Sequence, residues 1–159
     1  MATLLYSACM SLDGFIAGPG GDMSWLGDHL GPNRTVDELI DDVGSLLVGN
    51  RTFGGDDPYK GTPQEGEPFG GEWSGPQVVL THHAPEKPVP GVTFAGDLET
   101  AVAAAKDAAG DRYVNVLVPV LLGDGVRLFD HPGGANVRLD RIGLTQAPGA
   151  TNVWFRVVR

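Results

Sequence analysis

Apolar residues in this chain come in short runs broken by glycine, proline and acidic positions, and the spacing of those runs predicts an alternation of strands and helices. Leu4–Met10 reads as a first strand and Ser45–Val48 as a second, buried one that stops at Gly49. Gln77–Thr81 is a third strand, Val92–Ala95 a fourth after a proline-punctuated connection, and Tyr113–Leu117 another. Helical spacing appears twice. Thr35–Val43 predicts a short helix in which Thr35 as N-cap and Glu38 three residues later form a capping box. Leu98–Ala109 is Ala-rich, with Asp97 before it and Gly110 after it. Between these elements, Gly54–Gly75 is dense in Gly, Pro, Asp and Glu and predicts a long surface loop. From Val137 onward apolar and polar residues alternate around a Pro-Gly break, with Val153–Val158 as the clearest strand, which predicts an antiparallel finish. The expected class is α/β: a mixed, mostly parallel sheet with flanking helices and antiparallel C-terminal strands. No repeat or linker divides residues 1–159, so a single domain is expected.

Charge and cysteine content narrow the functional classes. A formal net charge of −9 leaves no basic footprint for nucleic acid. One arginine with backbone donors can still hold a phosphorylated small molecule. No apolar run approaches the roughly 18 residues of a membrane span, and the N-terminus lacks the basic flank and cleavage site of a signal peptide, so a cytoplasmic protein is expected. Cys9 stands alone, which excludes an intrachain disulfide, and its setting predicts a small buried side chain in the first strand. His82 and His83 have no acidic partner at metal-ligand spacing, so no metal is expected.

The densest chemical signal is the run Ser7–Leu26, SACMSLDGFIAGPGGDMSWL. A strand that delivers Asp13-Gly14 turns at its carboxyl end, where open α/β sheets place ligands. Asp13 could act as an acid there or bond its own turn amides. Four further segments carry candidate chemistry: Gly49–Thr52 (GNRT) after a buried strand, Asp56–Pro58 (DDP), Val78–His83 (VVLTHH), and Pro119–Phe129 (PVLLGDGVRLF) with its glycine turn. Arg51 offers a fixed donor fork that suits a phosphate better than lysine would. Asp-Pro is also ordinary turn chemistry.

SLDGFIA (Ser11–Ala17), GDMSW (Gly21–Trp25) and PVLLGDGVRLF together resemble dihydrofolate-reductase-fold proteins, in particular the reductases related to the riboflavin-biosynthesis enzyme, the RibD C-terminal domain type. The resemblance implies an NADPH-dependent reductase of a small heterocyclic or ribosylamino-pyrimidine substrate, and a homodimer. It places Cys9, Ile16 and Ala17 along the nicotinamide. It puts Gly49, Asn50, Arg51 and Thr52 on the adenosine-side phosphates, with Asn50 in the first arginine position of the family's Gly-Arg-[Arg/Lys]-Thr segment. Thr81 and His82 would flank the adenosine, Trp25, Asp56 and Asp57 the substrate, and Asp13 would be the remaining carboxylate near the ring. Folate reductases carry a carboxylate five residues after the tryptophan; here that position is Leu30, with Asp28 two residues short, which disfavours dihydrofolate.

One departure bears on the cofactor. The related reductases pass from a strand like Tyr113–Leu117 into a Gly-Gly turn, a helix and an acidic strand before PVLLG, whereas here Leu117 meets Val118-Pro119 directly. Tyr113–Leu122 would span about 33 Å if extended at roughly 3.3 Å per residue, and Pro119 would interrupt its ladder. Either the molecule lacks a crossover segment at this junction, and with it the helix N-terminus that receives a pyrophosphate, or residues between Leu117 and Val118 are missing from the sequence. Two other readings therefore stand beside the reductase: a non-catalytic ligand-binding or assembly member of the fold, and a reductase using a flavin or deazaflavin.

Overall fold

Strand β3 (Val43–Gly49) is buried along almost its whole length because both of its faces are covered, and the molecule is built outward from it. In the computed structural model, which describes residues 2–11, 14–27, 30–117, 126–127, 138–148 and 150–158, the chain runs β1 (Thr3–Tyr6), β2 (Phe15–Ala17), α1 (Ser24–Gly27), α2 (Arg34–Asp42), β3, α3 (Asn50–Phe53), β4 (Gln77–Leu80), β5 (Val92–Ala95), α4 (Leu98–Ala109), β6 (Tyr113–Leu117), β7 (Val126–Arg127), β8 (Leu139–Ala147) and β9 (Ala150–Val157). Five strands form one sheet in the order β1-β6-β3-β4-β5, and every pair in it is parallel. The C-terminal strands β8 and β9 form a separate antiparallel hairpin, and β2 pairs antiparallel with β7. This is the expected α/β architecture of the dihydrofolate-reductase type, with the antiparallel strands segregated from the parallel sheet.

Alternation along β3 sends side chains to two cores. Leu47 joins Val78, Val114 and the alanines of α4 on one face. Leu46, Val48 and Val79 meet Ile40 of α2 and Trp73 on the other. Simple alternation would put Val43 with Leu47, yet it packs with Leu46. A β-bulge accounts for this: Val43 pairs with Tyr113 and Ser45 with Val114, so Gly44 is an extra residue that flips the strand's start to the opposite face. Packing against α4 is what requires glycine at this position. A Cβ there would sit 2.5 Å from the Ala109 carbonyl oxygen and 2.8 Å from its Cα. Helix α4 comes this close because Ala101, Ala105 and Ala109, all buried, present no side chain beyond Cβ along the contacting stripe. The buried Ser45 hydroxyl donates to the Ala105 carbonyl at 2.8 Å, fixing the register of helix on strand.

Several boundaries differ from the sequence expectation, each for an identifiable reason. The first strand ends at Tyr6 and not Met10, since its partner β6 offers no further register beyond Tyr6↔Val116. Cys9 therefore lies past the strand, exposed instead of buried in it. Helix α2 begins at Arg34 with Asn33 as N-cap, so Thr35 is inside the helix and the capping box does not form. Both proposed members are engaged elsewhere: Glu38 pairs with Arg34 at 2.7 Å, and the Thr35 hydroxyl meets that of Thr145 in the hairpin at 2.7 Å. Asn33 caps nothing with its side chain, which exchanges two 3.0 Å amide hydrogen bonds with Asn152. The loop of 54–75 is irregular as expected but is anchored by Trp73, whose indole N–H donates to the Val43 carbonyl at 3.1 Å inside the core.

Helix α4 matches its sequence bounds, and Asp97 caps it by accepting from the Thr100 N–H at 2.8 Å. That bond, with the Thr100 hydroxyl, holds the Asp97 carboxyl below its ordinary pKa. A carboxylate whose pKa is lowered by folding contributes stability above its unfolded value of about 3.9, and loses it as pH falls through the lower folded value. Urea midpoints recorded from pH 6 to pH 2 should accordingly fall less steeply for Asp97→Asn, which keeps an acceptor and does not titrate, than for the native chain. Gly44→Ala should cost about 1–3 kcal/mol through overpacking against α4; an unchanged urea midpoint would show that α4 can shift away without loss.

Candidate functional site

The strand order defines a crevice. From β3 the chain steps outward through β4 and β5, then returns by α4 and inserts β6 on the other side of β3. The connections on either side of that switch leave in opposite directions, and the carboxyl ends of β3 and β6 are where such sheets bind ligands. Gly49 ends β3 and Leu117 ends β6. Thr81 follows β4 and is buried; its N–H continues the ladder to the Ala95 carbonyl at 2.9 Å, and its hydroxyl accepts from the His83 N–H at 3.0 Å. His82 beside it is exposed.

Strand β3 passes straight into the single turn α3. Its N-cap is Gly49, which has no side chain to cap with, so the first amides of the turn have no side-chain cap. Asn50, Arg51 and Thr52 are all exposed on this turn. The turn closes with Gly54 N–H on the Asn50 carbonyl at 3.0 Å. Phe53 packs edge-on against Phe94 of β5, ring centroids 5.7 Å apart, which holds α3 against the sheet. The result is an exposed guanidinium, an exposed hydroxyl and uncapped amides at the end of the central strand, a donor set suited to phosphate oxygens.

Both acidic side chains downstream are engaged by partners within the chain. Asp56 Oδ2 accepts from the Met23 N–H at 3.1 Å, and its Oδ1 from Lys60 Nζ at 3.0 Å. These bonds hold the Asp56 carboxyl below its ordinary pKa, with the Met23 amide as the largest cause. Asp57 accepts from Tyr59 N–H at 2.7 Å and Gly66 N–H at 2.6 Å, closing the segment between them. Tyr59 is half-buried, and its phenol is pushed up first by burial and then by the charges of Glu72, Asp57 and Cys9. Trp25, half-buried in α1, stands two residues from the amide that Asp56 holds.

These contacts bring together the segments around α1 and after β3. Ile16 and Ala17 belong to β2, with Ala17 buried and paired to Val126. Asp13, Asp28 and residues 118–125 of the PVLLG segment lie outside the described residues. Sequence reading missed Tyr59 and Lys60. The i,i+4 spacing of Asp56 and Lys60 was an available signal, but nothing local announces a bond from Asp56 to Met23. A depression of about 250 Å³ lined by Thr3, Asp42, Asp111, Arg112 and Tyr113 lies at the amino ends of β1 and β6, away from the crevice. Among the described residues no group of three or more His, Cys, Asp or Glu side chains could hold a metal ion, and no helix is long and apolar enough to cross a membrane.

A parallel sheet with a switch-point crevice at the carboxyl ends of β3 and β6 defines an α/β domain of the dihydrofolate-reductase type. The chain belongs to the RibD C-terminal domain family, whose family profile matches residues 2–110. That is a family of reductases that typically use NAD(P)H. Among solved structures, a protein assigned to riboflavin biosynthesis from Shewanella sp. PV-4 is similar at 22% identity and a TM-score of 0.65, over 100% of both chains. A diaminohydroxyphosphoribosylaminopyrimidine deaminase/5-amino-6-(5-phosphoribosylamino)uracil reductase from Thermotoga maritima is similar at 16% identity and a TM-score of 0.59, over 99% of this chain and 57% of that one. At these identities the likeness shows the fold. No curated protein matches the chain.

Proposed function

We propose that this protein is an NADPH-dependent reductase of a small heterocyclic compound, with a ribosylamino-pyrimidine of the kind named for the Thermotoga relative as the first substrate to test. The observation that carries the reading is the uncapped turn at the end of β3, where Arg51 and Thr52 are exposed beside amides with no side-chain cap. The residues fit a nicotinamide cofactor at its adenosine-phosphate end: Arg51 and Thr52 would hold the extra phosphate, and Thr81 and His82 follow the neighbouring strand. At the pyrophosphate position the sequence offers Val118-Pro119 in place of a Gly-Gly turn, so that end relies on fewer donors.

When bound, NADPH supplies a hydride, and a ribosyl side chain so reduced becomes a ribityl one. The chain's own work is to bind, orient and exclude water. Cys9, Ile16 and Ala17 would line the reacting ring, and Trp25 would cover the substrate. Asp13, the proposed proton donor, lies outside the described residues.

The hairpin supports a homodimer. Leu139, Ile142, Leu144, Val153, Phe155, Val157 and Val158 are 36–59% exposed, concentrated on two strands that touch α2 through Asn152 and Thr145. A two-stranded hairpin is marginal alone, and such a patch exceeds scattered surface apolarity. The hairpin is also locally basic, with Arg138, Arg141 and Arg156 against Asp140, in a chain of net charge −9. Exposed Asp37, Glu38, Asp41 and Asp42 on α2 give a second copy the complementary sign. The occupant we propose is therefore a second copy of this chain.

Two outcomes are expected. NADPH titrated by fluorescence should bind more tightly than NADH, and Arg51→Ala should abolish that preference, a loss of roughly tenfold or more for one charge-assisted phosphate contact; equal loss for both nucleotides would remove Arg51 from the extra phosphate. Light scattering should give twice the chain mass for the native protein and a folded monomer for Phe155→Glu; a native monomer would reject the dimer.

A further inference from the structure

The geometry points to Asp56 as a positioning residue: a strut that ties the turn after α3 to the one-turn helix α1 that carries Trp25, so that the cofactor-side and substrate-side segments are held as one unit. The bond from Met23 N–H to Asp56 Oδ2, 3.1 Å long, joins segments 33 residues apart. It falls immediately before α1, whose next amide, Ser24 N–H, is taken by Asp22 Oδ1 at 3.0 Å. Two carboxylates therefore fill the start of this one-turn helix, and Trp25 is the residue that follows. The far end of α1 is fixed by the same loop. A Cβ at Gly27 would lie 3.4 Å from the Pro58 carbonyl oxygen, so α1 rests against the residues that follow Asp56 and Asp57.

The other oxygen of Asp56 is held by Lys60 Nζ at 3.0 Å, and Lys60 lies one turn further along the same loop. Each carboxylate oxygen thus has a partner within the chain. A side chain placed to bind substrate would direct an oxygen toward the crevice, whereas this one directs its oxygens to a backbone amide and an ammonium. Asp56 lies four residues beyond Thr52, and displacement of either segment would be felt by the other through this bond. A short tether matters because reaction geometry tolerates little error: a misplacement of about 1 Å can cost on the order of 10²-fold in rate.

The inference rests on the reductase reading for what Trp25 does, but not for the tether itself, so its test does not depend on turnover. Acrylamide quenching of the intact protein, with the Trp25 contribution isolated by parallel Trp25→Phe variants, reports the exposure of that ring. Asp56→Ala should raise the quenching constant of Trp25 about twofold by releasing α1 to local opening. Asp56→Asn, which keeps an oxygen acceptor for the Met23 amide, should restore it close to native. Unchanged quenching in Asp56→Ala would overturn the strut, as would an Asp56→Asn variant as open as Asp56→Ala. If reduction of the ribosylamino-pyrimidine is observed, Asp56→Ala should raise KM severalfold and Asp56→Asn should largely rescue it. A KM defect of equal size in both variants, with Trp25 quenching native in both, would make Asp56 a direct charged ligand. Absence of turnover in the native protein would sink the reductase reading and leave the quenching result to decide the strut.

Discussion

Helix α4 lies on strand β3 closely enough that one carbonyl of the helix occupies the space a side chain would need at Gly44, and the placement of both cores follows from that contact. Only a stripe of alanines permits it, and the Ser45 hydroxyl locks it by bonding the Ala105 carbonyl. The bulge at Gly44 then turns Val43 away from α4, so that its carbonyl is available to the Trp73 indole on the opposite face. A single residue without a side chain thereby connects the α4 side of the sheet to the long loop on the other side. Since α3 continues directly from β3, the direction of its exposed donors is inherited from the same seating.

The chain's acidity has a use beyond solubility. It contains 24 glycines, many of them in loops with few side chains that pack. Those loops are organised by carboxylates that accept backbone N–H groups: Asp22 from Ser24, Asp57 from Tyr59 and Gly66, Glu65 from Gly61, Asp97 from Thr100. Amides that a glycine-rich backbone leaves over are satisfied by charge-assisted hydrogen bonds, which are stronger than neutral ones. With Asp56, five of the twenty acidic residues thus order backbone segments, which is compatible with binding an anion at a site where the neighbouring acids are already engaged.

Much of the fold was legible because its signals are local. Leu98–Ala109 carried its cap and stop signals in sequence and formed with those bounds, and the antiparallel finish followed from alternation around the Pro-Gly break. The errors came where a distant partner outcompeted a local one. Thr35 and Asn33 had the chemistry of caps but are engaged by Thr145 and Asn152, more than a hundred residues away. Trp73 sat in a stretch whose composition describes a surface loop, and no period reveals that one aromatic there reaches the core. At the site, the motif around Gly49–Thr52 fixed the position of the donors after a buried strand. The partners of Asp56 and Asp57 could not be read, because hydrogen-bond geometry between loops depends on tertiary placement.

The parallel sheet also sets an order of assembly. Strand β6 occupies the slot between β1 and β3, pairing Thr3 and Val43 alike with Tyr113. During synthesis the first strand must wait for residues far downstream before it acquires any neighbour in this sheet, while β3, β4 and β5 can already associate. Such long-separation pairing is slow, and until β6 arrives the facing edges of β1 and β3 remain open to adventitious strands. The nascent chain is consequently most vulnerable to aggregation in the interval before β6 leaves the ribosome, and early truncation would yield a fragment with its central edges exposed.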